Sequence, residues 1–249
     1  MKTLTSFLRP AALLAILPAA LAFSSCSNDD DEATPSESNV LISHAAASAN
    51  TQVAALVDDK QVGQLNYGQS SAYLKVNAGS PTLKINNGTQ TVAQKALSLT
   101  QGQNYSVFVY SPTATIGSAD LLPVPDDLSA PAANQAKVRL VHLGVGAPSP
   151  VRLSVPSPVP GGAVTDLTPD VAFATASNFV AVNAGSLGLT VTTAGTTRTQ
   201  VLAVGDGSGS GTGTKAFEAG KIYTVVVRGI SGAGVPTAQQ AQAVIIQNN

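Results

Sequence analysis

Beyond residue 38 the chain alternates apolar and polar positions with a period of two, in short runs punctuated by glycine and proline. Val40, Ile42 and His44 share one face of such a run, and Val138, Leu140 and His142 share one face of another. Tyr105, Val107 and Val109 fall together, as do Tyr223, Val225 and Val227; Leu83 and Ile85 correspond to Leu189 and Val191. A period of two is the strand signature, because successive side chains leave a strand on opposite faces. No segment beyond residue 38 has convincing helical periodicity. The pattern predicts an all-β fold.

The runs occur twice in the same order. Val40-Leu41-Ile42-Ser43-His44 matches Val138-Arg139-Leu140-Val141-His142, and Tyr67 and Tyr73 match Phe173 and Phe179. Val76-Asn77-Ala78-Gly79-Ser80 returns as Val182-Asn183-Ala184-Gly185-Ser186, and Gly102-Gln103-Asn104-Tyr105-Ser106-Val107 returns as Gly220-Lys221-Ile222-Tyr223-Thr224-Val225. Ordered landmarks of this kind are the mark of tandem duplication. They predict two β-sandwich domains at 38–125 and 136–249, joined by a linker at 126–135. About seven short strands per copy suit an immunoglobulin-like sandwich. The second copy carries loop insertions at 156–162 and 205–214; the latter, glycine-rich, lacks the Gly-Lys-Ser/Thr of a phosphate loop and reads as a flexible hairpin insertion.

The N-terminus has a different pattern. Lys2 and Arg9 precede an apolar run over 11–22, too short for a stable membrane-crossing helix, which needs about 20 apolar residues. A basic start, an apolar stretch and small residues make a secretory signal over 1–25. Leu21-Ala22-Phe23-Ser24-Ser25-Cys26 resembles the bacterial lipoprotein signal, with Phe23 where leucine is usual. The resemblance implies acylation of Cys26, the only cysteine, and so a membrane partner held through lipid and no disulfide. Residues 26–37 form an acidic tether expected to be disordered. Within it Ser27, Asp29, Asp30, Asp31 and Glu32 resemble the export signal of surface lipoproteins of the Bacteroidota. The expected location is the outer membrane, facing the cell surface, with the periplasmic face as the alternative.

Charge excludes one class of partner. Without residues 1–25 the chain keeps 11 of its 13 basic residues against 14 acidic ones, a net charge of about −3 with no basic stripe. No nucleic-acid partner is expected, and neither a cofactor nor a metal site.

Candidate chemistry is sparse. His44 and His142, the only histidines, occupy matching positions at the end of an apolar strand. Duplication favours a structural role, each ring hydrogen-bonding loop backbone at the edge of a core; metal ligation and catalysis are the alternatives. Asp58-Asp59 and Asp126-Asp127 do not recur between copies and read as turn residues, with Asp126-Asp127 in the linker; turn chemistry is also assigned to the isolated Asp166, Asp170, Asp206 and Glu218. Of nine aromatics after the signal, six are repeat-matched and read as core. Phe108 and Tyr110 face the other way and could form a small exposed ligand patch, or pack against a neighbouring domain.

The order strand-His, strand, aromatic-x5-aromatic, Ala-Gly, strand, Gly-x2-Tyr-Thr-Val resembles the bacterial domain-of-unknown-function 4397 family, over nearly all of 38–249. The family's Asp in an Asp-Val-Tyr context is missing from both copies, which read Val53-Ala54-Ala55-Leu56-Val57 and Val151-Arg152-Leu153-Ser154-Val155. The resemblance implies a secreted or surface protein and no reaction. The expected function is therefore non-enzymatic surface display, adhesion or protein-interaction scaffolding. The alternative is a glycan- or peptide-binding accessory lipoprotein of an uptake system.

Overall fold

The computed structural model describes residues 36–159, 162–205 and 214–249. Cys26, Ser27, Asp29, Asp30, Asp31 and Glu32 lie outside the described residues, as does the 206–213 part of the glycine-rich insertion. The described residues are almost entirely strand and connection, with two single-turn 3₁₀ segments. The all-β expectation holds.

Eight strands form the N-terminal half: β1 (Glu37–His44), β2 (Val53–Val57), β3 (Lys60–Leu65), β4 (Leu74–Asn77), β5 (Thr82–Asn87), β6 (Gln90–Ala96), β7 (Asn104–Tyr110) and β8 (Asp120–Asp126). The C-terminal half holds β9 (Gln135–His142), β10 (Val151–Val155), β11 (Thr165–Asp166), β12 (Thr175–Ala176), β13 (Val180–Asn183), β14 (Gly185–Gly188), β15 (Thr190–Thr193), β16 (Gln200–Gly205), β17 (Thr214–Phe217), β18 (Ile222–Arg228) and β19 (Gln242–Gln247).

One pairing scheme serves both halves. In the first, β4-β1-β7-β8 makes one sheet and β3-β2-β5-β6 the other. In the second, β13-β9-β18-β19 and β11-β10-β15-β16 repeat those neighbours, with β9–β18 parallel as β1–β7 is. Here β16 also pairs with β19 at Val204–Ala243 and Gly205–Val244, so the two layers join into one sheet. Each half is a sandwich of two packed sheets. Its first strand lies inside a sheet, between an antiparallel and a parallel neighbour, whereas an immunoglobulin constant-type sandwich has seven strands in ABED and CFG order.

Local sequence explains the joints. Asp58 and Asp59 sit between β2 and β3 with φ of 46° and 65°, the left-handed pair a two-residue hairpin turn requires. This is the turn expected of them. Pro123 and Pro125 cannot donate to a ladder, and they fall on β8, the edge strand of its sheet.

The inward parity is as the alternation predicted. Val40, Ile42, Leu83, Ile85 and Val107 are buried in one core; Val138, Leu140, Val191, Tyr223 and Val225 are buried in the other. The outward parity differs from a solvated face. Phe108, Tyr110 and Val124 meet Val141, Val226 and Val244 in a third apolar cluster that spans both halves. The outer face of β1-β7-β8 packs against the outer face of β9-β18-β19. Four layers of strands therefore stack, and every residue of β18 is buried.

This seam corrects two aromatic assignments. Phe108 has no exposed surface and Tyr110 is 8 % exposed, so they form no ligand patch: the neighbouring half covers them. Conversely Tyr67, Tyr73, Phe173 and Phe179, expected in cores, are half-buried beside the seam.

Phe108→Ala should remove apolar contact from the seam and cost about 3–5 kcal/mol. The unmutated chain should melt in one transition by circular dichroism and calorimetry. The variant should melt at lower temperature, in two resolved steps; a single unshifted step would contradict the seam's role in coupling the halves.

Candidate functional site

The polar end of the seam holds the most heavily buried charges. Arg139, on β9, turns away from its own core toward the first half. Its Nη2 lies 2.5 Å from Asp126 Oδ1, and the side chains are 1 % and 0 % exposed. Arg139 Nη1 donates to Pro125 O at 3.1 Å, Nε donates to Thr224 Oγ1 at 2.9 Å, and the guanidinium stacks 4.4 Å above the Phe179 ring. Tyr73 Oη and Ser106 Oγ donate to Asp126 Oδ2 at 2.5 and 2.7 Å. Burial lowers the affinity of Arg139 for its proton, and Asp126 opposes that shift. Burial and the neighbouring Asp126 raise the Tyr73 hydroxyl well above its ordinary value, so it stays a donor.

The network has an internal symmetry. By strand pairing, Asn248 holds the place in the second half that Asp126 holds in the first, and Thr224 the place of Ser106. Thr224 Oγ1 donates to Asn248 Oδ1 at 2.7 Å, echoing Ser106 and Asp126. Asn248 Nδ2 then crosses the seam to Tyr73 Oη at 3.2 Å and Ser106 Oγ at 3.4 Å. At the opposite end, Tyr110 meets Phe173 edge-on at 6.0 Å, while Arg228, which matches Tyr110, lies over Tyr67, which matches Phe173. The same face of each half is thus set against the other about an approximate twofold.

The histidines are matched in their surroundings. Both are fully buried. His44 Nε2 lies 3.0 Å from Thr51 O, and His142 Nε2 lies 3.1 Å from Pro148 O. Their Nδ1 atoms accept from Ala46 N and Gly144 N, each at 3.4 Å. Tyr67 and Phe173 pack edge-on against the rings at 5.9 and 5.8 Å. Each imidazole pins the loop that follows its strand, and both ring nitrogens are used. Burial lowers both pKa values from the ordinary 6.5, so the rings are neutral near pH 7.

Asp126 is not a linker turn residue: it ends β8, buried in the seam. Its neighbour Asp127 does turn the connection, accepting from Ser129 N at 3.0 Å, and Lys137 beside it holds its carboxyl well below the usual range. Asp166 and Asp170 are likewise ion-pair residues rather than turn residues. Arg152 reaches both, at 2.6 and 2.5 Å, and Arg198 reaches Asp166 at 2.7 Å.

Two clefts, of roughly 380 and 350 Å³, open where sheets splay. The first is lined by residues such as Ile42, Leu65, Ser71 and Leu74, the second by Val155, Leu167, Val182 and Leu187. Neither is lined by a titratable side chain. Among the described residues no cluster of three or more His, Cys, Asp or Glu side chains is placed to hold a metal, and no helix is long and apolar enough to cross a membrane.

Arg139 and Arg228 were not singled out by sequence reasoning, and Asp126 was read only as a turn residue of the linker. One signal was present: Ile222-Tyr223-Thr224-Val225-Val226-Val227 is apolar on both parities apart from Thr224, as a strand covered on both sides is. An arginine in the matching strand, Val138-Arg139-Leu140, then has to meet a partner across that second face.

The family model described as a domain of unknown function, DUF4397, matches residues 38–150, which supports the family for the stretch from β1 through β9. No curated protein matches. Among solved structures the chain is similar to a protein from Bacteroides eggerthii DSM 20697, provisionally described as a cell adhesion protein, at 11 % identity and a TM-score of 0.23 over 86 % of this chain and 96 % of that one. It is also similar to a leucine-rich repeat protein from Bacteroides thetaiotaomicron VPI-5482, at 13 % identity and a TM-score of 0.17; the alignment covers 86 % of this chain and 25 % of that one.

Removing one member of the seam pair should leave a buried charge uncompensated. Asp126→Leu or Arg139→Met alone should cost about 3–5 kcal/mol in urea unfolding, and the double variant should recover most of it. The histidines predict a pH effect of definite sign. Their folded pKa values lie below 6.5, so as pH falls through 6.5 the unfolded chain takes up protons that the folded chain refuses. Stability is fully present above that pH and is lost below it. Urea midpoints should fall between pH 7 and 5.5, and the slope should flatten in His44→Gln/His142→Gln.

Proposed function

We propose that the chain is a lipid-anchored, non-enzymatic cell-surface protein that displays two tandem sandwich domains, 38–125 and 136–249, for adhesion or protein interaction. The connection between β8 and β9 then acts as a link of fixed geometry rather than a flexible one. The observation that carries this reading is the buried seam. It fuses four layers of strands into one unit, a form suited to holding a binding surface away from a membrane. Further support comes from how the reactive side chains are used. The histidines bond loop backbone, and Asp126, Asp127, Asp166 and Asp170 are each engaged by a cation.

Anchoring through Cys26, with Ser27, Asp29, Asp30, Asp31 and Glu32 directing surface exposure, gives the unit its place on the outer membrane. Each buried methylene of an acyl chain contributes about 0.8 kcal/mol, so several chains hold such a body firmly.

Two experiments test the reading. Cys26→Ala should release the protein into the soluble fraction of cells, whereas unchanged membrane retention would remove the anchor. A glycan array and pull-downs with the full chain should return a protein partner. Selective, saturable binding of a glycan would instead support an accessory role in uptake.

A further inference from the structure

We infer that Arg228, at the end of the seam remote from Asp126, is the receptor for a carboxylate group supplied by a ligand.

Two arginines of the second half point into the seam, and they are treated differently. Arg139 has a carboxylate, a backbone carbonyl, a hydroxyl and an aromatic face. Arg228 is 8 % exposed and has only the aromatic face, with its guanidinium carbon 4.8 Å from the Tyr67 ring centroid. Its Nε is buried with no acceptor, and among the described residues it takes part in no salt bridge and donates no hydrogen bond. A guanidinium stays charged in proteins, and a buried charge is normally paired. Stacking on Tyr67 uses the face of the group and leaves its in-plane N–H fork, the edge that fits a planar carboxylate.

The surroundings are arranged for the group and yet lack its counter-charge. Gly68, with φ of 90°, lets the head lie close: a Cβ there would come within 2.4 Å of Nη1. The buried Tyr67 hydroxyl is also without a partner, and it offers a second donor beside the fork. Among the described residues the titratable and charged neighbours are Tyr67 and the neutral His44, and none of them sets an anion against the guanidinium. The fold has a natural place for one. In the first half, Tyr110 stands opposite Asp120 across the strand pair; at the matching place Arg228 stands opposite Gln242, whose Oε1 is buried and unpartnered. Glutamine thus occupies the site where an internal carboxylate would neutralise Arg228. The charge of Arg228, unpaired among the described residues, and the unpartnered donors Arg228 Nε and Tyr67 Oη together fit a ligand group with one negative charge and two acceptor oxygens. The inference goes beyond the display function, since it names chemistry that a partner must carry.

The test is side-chain ¹⁵N NMR of the full chain, following the arginine Nε–H resonance that disappears in Arg228→Met. Acetate and an N-acetylated dipeptide with a free C-terminus are titrated separately at constant ionic strength, against chloride and inorganic phosphate. At least one carboxylate should shift that resonance saturably in the millimolar range. A response to both would indicate a site for small carboxylates generally, and a response to the peptide alone a site for chain termini. Tyr67→Phe should weaken binding several-fold. Gln242→Glu should abolish it while raising the melting temperature, because the internal carboxylate takes the ligand's place; this arm remains informative if Arg228→Met fails to fold. A non-saturating shift equal to that of chloride, tighter binding of phosphate than of either carboxylate, or undiminished binding in Gln242→Glu would overturn the inference.

Discussion

The architecture depends on two buried side chains that need each other. Asp126 closes the last strand of the first half, Arg139 opens into the seam from the first strand of the second, and neither has more than a trace of solvent contact. Taking two such charges out of water costs several kcal/mol each, and only close pairing with further hydrogen bonds offsets it. Tyr73, Ser106, Thr224 and the Pro125 carbonyl supply those bonds. The pair therefore does more than join two sheets. It penalises any other relative placement of the halves, because a slip of one residue along β9 would turn Arg139 away from Asp126 and into its own core. The apolar cluster around Phe108 and Val226 contributes adhesion without direction; the ion pair contributes the register.

Much of this was legible beforehand, and the limit has a physical origin. Alternation identified the inward residues of β1, β7, β9 and β18 correctly, because burial in a sandwich core leaves a period-two trace within a single strand. The duplicated landmarks likewise anticipated the repeated pairing scheme. The seam leaves no such local trace. Whether Phe108 faces water or another sheet depends on residues of the other half, Val141, Val226 and Val244 among them. Its parity alone offered both outcomes, an exposed patch or a covered one. Asp126 was misplaced for the same reason: a doublet of aspartates beside proline has the composition of a turn, and only Asp127 behaves as one.

The histidines show the opposite case. A residue that appears once in each copy, at the same strand end, has to answer to something each copy contains by itself. Both rings bridge the end of the first strand to the loop that follows. Recurrence in sequence thus separated an intrinsic feature from a relational one. Arg139 and Arg228, which match Leu41 and Tyr110 in the first half, have no counterpart and concern the relation between the halves.

The seam sets the same surface of each half against the other about an approximate twofold, and such a contact is saturated once made. Head-to-tail contacts leave one surface free at each end and can be extended by adding copies; a face-to-face contact consumes both surfaces at once. A third copy of this sandwich could not join through β1-β7-β8, which is already covered. The duplication therefore produced a closed pair, and any longer array would have to evolve a second, unrelated contact.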